Sequence, residues 1–203
     1  MLKKLTLAKN KIELIPKDFG KLRKLQNLDL SFNCIQSVPS SLDQLEKLKE
    51  IFLSNNNLTT FPLSLLKLKL LSKVDLSFNH LTSIPREIEE LEAEELVLSG
   101  NKIDTLAKEI SRCPRLKTLR LNDNYLTLDS IPTALLANSK VSLLSLEGNQ
   151  IEEKKLRKAQ GFNKYMERYT SVKKKMDFVG SSMTFNQACH TSENVLLSSA
   201  ALF

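Results

Sequence analysis

Two histidines (His80, His190), three cysteines (Cys34, Cys113, Cys189) and the acids Asp29, Asp75 and Glu147 are the side chains in this 203-residue chain that invite a chemical reading. A zinc site needs ligands in closely spaced pairs. Cys189-His190 stands alone, with no HExxH and no CxxC. Two of the carboxylates could serve as general acid and base, but that work also needs a pocket around them, and a solvated face is the simpler account. The chain has no GxxxxGK[ST], GxGxxG or GxSxG sequence and five glycines in all, so it builds neither a phosphate cradle nor a nucleophile elbow. No enzyme, no cofactor and no metal is expected.

What the sequence does contain is a period. Asn10, Asn33, Asn56, Asn79, Asn101, Asn124 and Asn149 follow one another at intervals of 23, 23, 23, 22, 23 and 25 residues. Ahead of each stands an apolar pair separated by one residue, from Leu5/Leu7 and Leu28/Leu30 to Leu144/Leu146, and two residues after each comes another aliphatic side chain. The alternation predicts a short strand in every unit. Each asparagine is expected to turn inward where the chain leaves the strand, because its amide both donates and accepts and can satisfy backbone groups that burial would otherwise leave unpaired. Later in each unit come Ile15-Pro16, Val38-Pro39, Phe61-Pro62, Ile84-Pro85 and Ile131-Pro132, with Leu106-Ala107 the unit that lacks the proline. Proline donates no backbone hydrogen bond, so these segments suit turns on the outer side of a coil rather than central strands.

Seven copies of LxxLxLxxNxL in phase resemble the leucine-rich repeat family, in its 23-residue intracellular class, over residues 1–151. The resemblance implies an α/β solenoid: a curved horseshoe with a parallel sheet on the concave face, short turns or 3-10 segments on the convex face and a C-terminal helical cap. The physics agrees, since each coil buries its leucines only against its neighbours. Strand alternation then nominates a concave binding surface. One row holds Asp29, Phe52, Asp75, Val97, Arg120 and Ser145. A second holds Phe32, Asn55, Phe78, Gly100 and Asp123, and His80 and Tyr125 adjoin it. Three phenylalanines on a polar face make a candidate hot spot, although Phe32 and Phe78 could equally pack against the loop of the next coil.

The ends of the array differ. Glu152 to Ala159 reads as a short helix stopping at Gly161. Phe162, Tyr165, Met166, Tyr169 and Val172 then recur at helical spacing, as a cap over the last coil or as a partner-binding face. Residues 152–175 carry nine basic and three acidic side chains within a chain of net charge +7, so peripheral contact with an anionic membrane through this segment is the alternative reading. Residues 176–203 read as a disordered tail. From about Cys113 to Lys175 the chain is most similar to one subgroup of the family, whose Met-Gly start suits myristoylation. Leu2 follows Met1 here, which excludes that modification at this start. The reading as a whole is a cytoplasmic, monomeric scaffold for a protein partner, with no nucleic acid; phosphatase or ubiquitin-ligase adaptors are variants of it.

Overall fold

The computed structural model describes residues 2–181, and side chains through residue 174. Seven strands run Lys4–Thr6 (β1), Asn27–Asp29 (β2), Glu50–Phe52 (β3), Lys73–Asp75 (β4), Glu95–Val97 (β5), Thr118–Arg120 (β6) and Leu143–Ser145 (β7). They form one parallel sheet in the order of the sequence. Adjacent strands pair residue for residue at the repeat interval, so Leu28 lies opposite Ile51, and Ile51 opposite Val74.

Each unit leaves its strand through the same turn. The residue before each ladder asparagine adopts a left-handed backbone: Lys9, Phe32, Asn55, Phe78 and Asp123 with φ of 53 to 57°, and Gly100 and Gly148 with 69 and 72°. That reversal carries the asparagine inward. The Asn33 Nδ2 group donates to the carbonyls of Leu30 (3.0 Å) and Ser31 (3.2 Å) in its own coil and of Leu7 (3.0 Å) in the preceding one. Its Oδ1 accepts the Ile12 amide at 3.0 Å. Asn56, Asn79, Asn101, Asn124 and Asn149 repeat this clasp on the carbonyls of Leu30, Leu53, Leu76, Leu98 and Leu121. From the second unit on, one side chain per unit therefore stitches two coils together and gives partners to three carbonyls and an amide that burial would otherwise deprive of them.

On the outer side, 3-10 helices of five residues begin directly after Pro16, Pro39, Pro62 and Pro85. Ala107 holds φ −60° and ψ 133°, close to the geometry of the prolines, so the unit that lost the proline kept the turn. The sixth unit, two residues longer, replaces the single 3-10 helix with a short one at Leu128–Ser130 followed by an α-helix, Thr133–Ala137 (α1). Between sheet and turns runs one core in which Leu28, Leu30, Ile51, Leu53, Leu76, Leu96, Leu98, Leu119 and Leu121 are fully buried.

The C-terminal elements differ in extent from the sequence expectation. The first helix is only Glu153–Leu156 (α2), shorter than the span expected from Glu152 to Ala159, because an irregular turn occupies the residues before Gly161. Gly161 has φ +89°, and a Cβ there would stand 2.8 Å from Ala137, so the chain crosses α1 where only glycine fits. The last helix, Phe162–Ser181 (α3), continues past the lysine triplet. Residues 182–203, which carry most of the expected disordered tail together with Cys189 and His190, lie outside the described residues.

Helix α3 lies across the last coil. Phe162 and Tyr165 are buried in the core, and Met166 and Tyr169 pack against it. The Tyr165 hydroxyl accepts the Leu144 amide at 3.2 Å. Burial pushes its pKa up to about 12. Arg168 donates to the carbonyls of Leu136 (2.7 Å), Leu135 (3.3 Å) and Val141 (2.9 Å), closing the C-terminal end of α1, whose last carbonyls have no helical partner.

Candidate interaction surface on the sheet

The outer face of the sheet carries two rows in strict register. One runs Thr6, Asp29, Phe52, Asp75, Val97, Arg120 and Ser145, with each residue directly opposite the next. It contains all the first-row candidates from the sequence. The other, Lys4, Asn27, Glu50, Lys73, Glu95, Thr118 and Leu143, is not among those candidates, although the alternation that exposes Asp29 beyond Leu28 exposes Asn27 before it as well.

Polar pairs run along the second row, and one ion pair, Glu95 with Arg120, crosses to the first. Glu95 pairs with Lys73 at 3.1 Å and with Arg120 at 3.5 Å, and Asn27 hydrogen-bonds Glu50. The Lys73 ammonium also stands 6.0 Å from the centre of the Phe52 ring, within cation-π range. Phe52 is half-buried, flanked in register by Asp29 and Asp75, and forms one wall of a shallow cavity of about 210 Å³ that reaches Lys4, Thr6 and Glu50.

The acids have local partners. Asp29 Oδ1 accepts from the Ser31 hydroxyl (2.7 Å) and amide (3.0 Å), and Asp75 does the same with Ser77 (2.6 and 3.0 Å). Both use one carboxylate oxygen to fasten the strand exit and keep the other for solvent or a ligand. They sit two strands apart, about 10 Å from strand spacing, with Phe52 between them, and Glu147 lies exposed in the last unit. No group of three or more His, Cys, Asp or Glu side chains among the described residues is placed to hold a metal.

Phe32 and Phe78 occupy the left-handed turn at the strand exit rather than the strand, so they line the rim of the sheet and not its centre. They are 50% and 56% exposed. The Phe78 ring lies against Gly100, whose missing Cβ would stand 2.6 Å from it, while Lys9 approaches the Phe32 ring at 6.0 Å. Phe78 thus does pack on the next coil, and still offers more than half its surface to solvent. Asn55, Gly100 and Asp123 share this rim; His80 and Tyr125 follow it on the loop, both exposed.

A family model described as Leucine rich repeat matches residues 1–58 and 69–126. The chain belongs to the leucine-rich repeat family. Among solved structures, a leucine-rich repeat protein of Leptospira interrogans is 34% identical, with a TM-score of 0.70 over 79% of this chain and 41% of its own. The leucine-rich repeat ectodomain of a plant membrane receptor kinase from Arabidopsis thaliana is 29% identical, with a TM-score of 0.64 over 74% of this chain and 19% of that one. An internalin from Listeria monocytogenes, 21% identical with a TM-score of 0.65 over 79% of this chain and 45% of its own, shares the fold. The leucine-rich repeat chain described here thus spans less than half the length of each of these proteins. No helix among its described residues is long and apolar enough to cross a membrane.

Proposed function

We propose that this leucine-rich repeat chain is a non-enzymatic, cytoplasmic scaffold, monomeric by itself, that binds a partner protein on the outer face of its sheet with Phe52 as the central anchor. The observation that carries this reading is the register that sets Asp29, Phe52 and Asp75 side by side, with Asp29 and Phe52 lining the shallow cavity. An aromatic ring held between carboxylates on a rigid surface combines an apolar anchor with polar selectors, the combination in which binding energy concentrates. Val97 and Arg120 extend the surface toward the last coil, while Phe32, Phe78, His80 and Tyr125 form its rim. The fold is one that serves protein recognition elsewhere: the plant receptor ectodomain was solved in complex with CASPARIAN STRIP INTEGRITY FACTOR 2. A role in signalling, including phosphatase or ubiquitin-ligase adaptors, is compatible with such a surface.

Membrane attachment through residues 152–175 has less behind it. Lys155 and Arg157 are already paired with Glu152 and Glu153, and Arg168 is turned onto main-chain carbonyls, so less of the segment's positive charge is free than its composition suggests.

The test is capture of partners from cytosol by Phe52→Ala and, as a control on the opposite side, Lys67→Ala. Phe52→Ala should lose about 2 kcal/mol or more of affinity with its circular dichroism spectrum intact, and Lys67→Ala should lose nothing measurable. Partners kept by Phe52→Ala and lost by Lys67→Ala would move the interface to the outer turns.

A further inference from the structure

Away from the sheet face, α3 and the loops leading into β5, β6 and β7 border an open groove of about 620 Å³, within the volume range of ligand-binding clefts. Its helix wall is made by Glu167, Arg168, Ser171 and Val172, which the helical period places on one face. The opposite wall is Glu94, Pro114, Arg115, Lys117, Lys140 and Ser142. Pro114, Val172 and the hydrocarbon stems of the long basic side chains give it an apolar floor.

Its charge is unbalanced: four cations, Arg115, Lys117, Lys140 and Arg168, face two carboxylates, Glu94 and Glu167. Glu94 is consumed by Arg115 at 2.7 Å and Lys117 at 2.8 Å, and these two hydrogen bonds hold its carboxyl below the usual range. Lys140 and Arg168 have no carboxylate partner among the described residues. Lys140 donates to the Pro114 carbonyl at 2.7 Å, and Arg168 to the α1 carbonyls. One turn beyond Ser171, Lys174 is exposed and adds a further positive charge. A recessed surface with an apolar floor and two cations paired only to neutral carbonyls favours an anionic ligand that also carries hydrocarbon.

We propose that this groove is a docking site for an acidic, extended segment of another protein, seating an aliphatic side chain between Pro114 and Val172 and directing carboxylates at Lys140 and Lys174. It is separate from the sheet face and does not depend on it. A peptide suits the groove better than a membrane does, because the lining mixes the carboxylates Glu94 and Glu167 with the bases and with Pro114 and Val172, which matches varied side chains rather than a uniformly anionic surface.

The experiment is selection of a phage-displayed library of random twelve-residue peptides on the full chain. A labelled peptide from the selection is then titrated by fluorescence anisotropy against wild type, Lys140→Glu/Lys174→Glu and Phe52→Ala. The expected result is enrichment of peptides that combine acidic and aliphatic residues. Their affinity should fall at least tenfold in the charge-reversed variant, stay unchanged in Phe52→Ala, and be restored in the reversed variant by a peptide whose acids are replaced with lysine. That restoration also proves the variant folded. No acidic enrichment, equal binding to the reversed variant, or loss of binding in Phe52→Ala overturns the proposal. So does a chain that enriches no acidic peptide but binds phosphatidylserine vesicles through Lys140 and Lys174, which would assign the groove to membrane.

Discussion

The two ends of the stack are built from the same repeat and finished differently. In the first coil, Leu5, Leu7 and Ile12 are only partly buried, whereas their counterparts in the last coil, Leu144, Leu146 and Ile151, are 1%, 0% and 7% exposed. Asn10 is exposed and its amide group donates only within its own coil, to Leu7 and Ala8; Asn79, in the middle, clasps Leu53 of the coil before it and accepts the Leu58 amide. At the other end, β7 has no following coil, and α3 stands in for one, with the Tyr165 hydroxyl taking the Leu144 amide. The comparison teaches that a repeat's stability belongs to its neighbours rather than to its own sequence. The same asparagine contributes much or little according to what lies beside it.

The sharpest way to break this contrast is at the helix. Tyr165→Ala should cost about 3 to 5 kcal/mol in urea unfolding, by opening a cavity over the last coil, and Tyr165→Phe about 1 to 3 by leaving the Leu144 amide unpaired. A Tyr165→Ala chain as stable as wild type would mean that α3 merely rests on the array.

High pH probes this end through Tyr165, and the fifth unit through Cys113, without truncating a side chain. Burial raises Tyr165 from 10.0 to about 12 and Cys113 from 9.0 to about 12. Both groups deprotonate more readily in the unfolded chain, so it binds fewer protons and stability falls as pH rises. The contribution is complete below about pH 9 and is lost between about pH 9 and 12, at roughly 1.4 kcal/mol for each pH unit that separates a group's folded and unfolded pKa. Urea midpoints should fall over that window. Cys113→Ala should flatten the decline from pH 9 upward and Tyr165→Phe its upper part, above pH 10.

The ladder gives the next effect in size. Asn79→Ala should destabilise by about 1 to 3 kcal/mol, because it strands buried backbone groups in two coils, while Asn10→Ala should stay within about 0.5 kcal/mol of wild type. Equal melting temperatures for Asn79→Ala and Asn10→Ala would contradict the inward clasp.

Much of this was legible in the sequence, for reasons particular residues make plain. The asparagine intervals and leucine pairs fix strand positions and register together, because a stack can bury Leu28 only by aligning it with Ile51. Alternation likewise placed Asp29, Phe52 and Asp75 on one face. The face's second row, from Lys4 to Leu143, was equally available from that alternation. Less visible was the left-handed turn at Phe32 and Phe78, since phenylalanine rarely marks that conformation and only Gly100 and Gly148 hint at it. The α3 groove was hidden altogether: Lys140 and Arg168 are far apart in sequence, and only the docking of the helix brings them together.

Native-state hydrogen exchange tests the central contrast most directly. The Leu7 and Lys9 amides, which donate to β2 and the turn after it, should exchange through local opening. The Leu81, Ile103 and Leu144 amides, which donate to Asn101, Asn124 and Tyr165, should exchange on the order of 100-fold more slowly, through larger unfolding. A Leu144 amide exchanging as fast as Leu7 would show that the last coil is no better sealed than the first, and the account of α3 as the surface that closes the stack would fail.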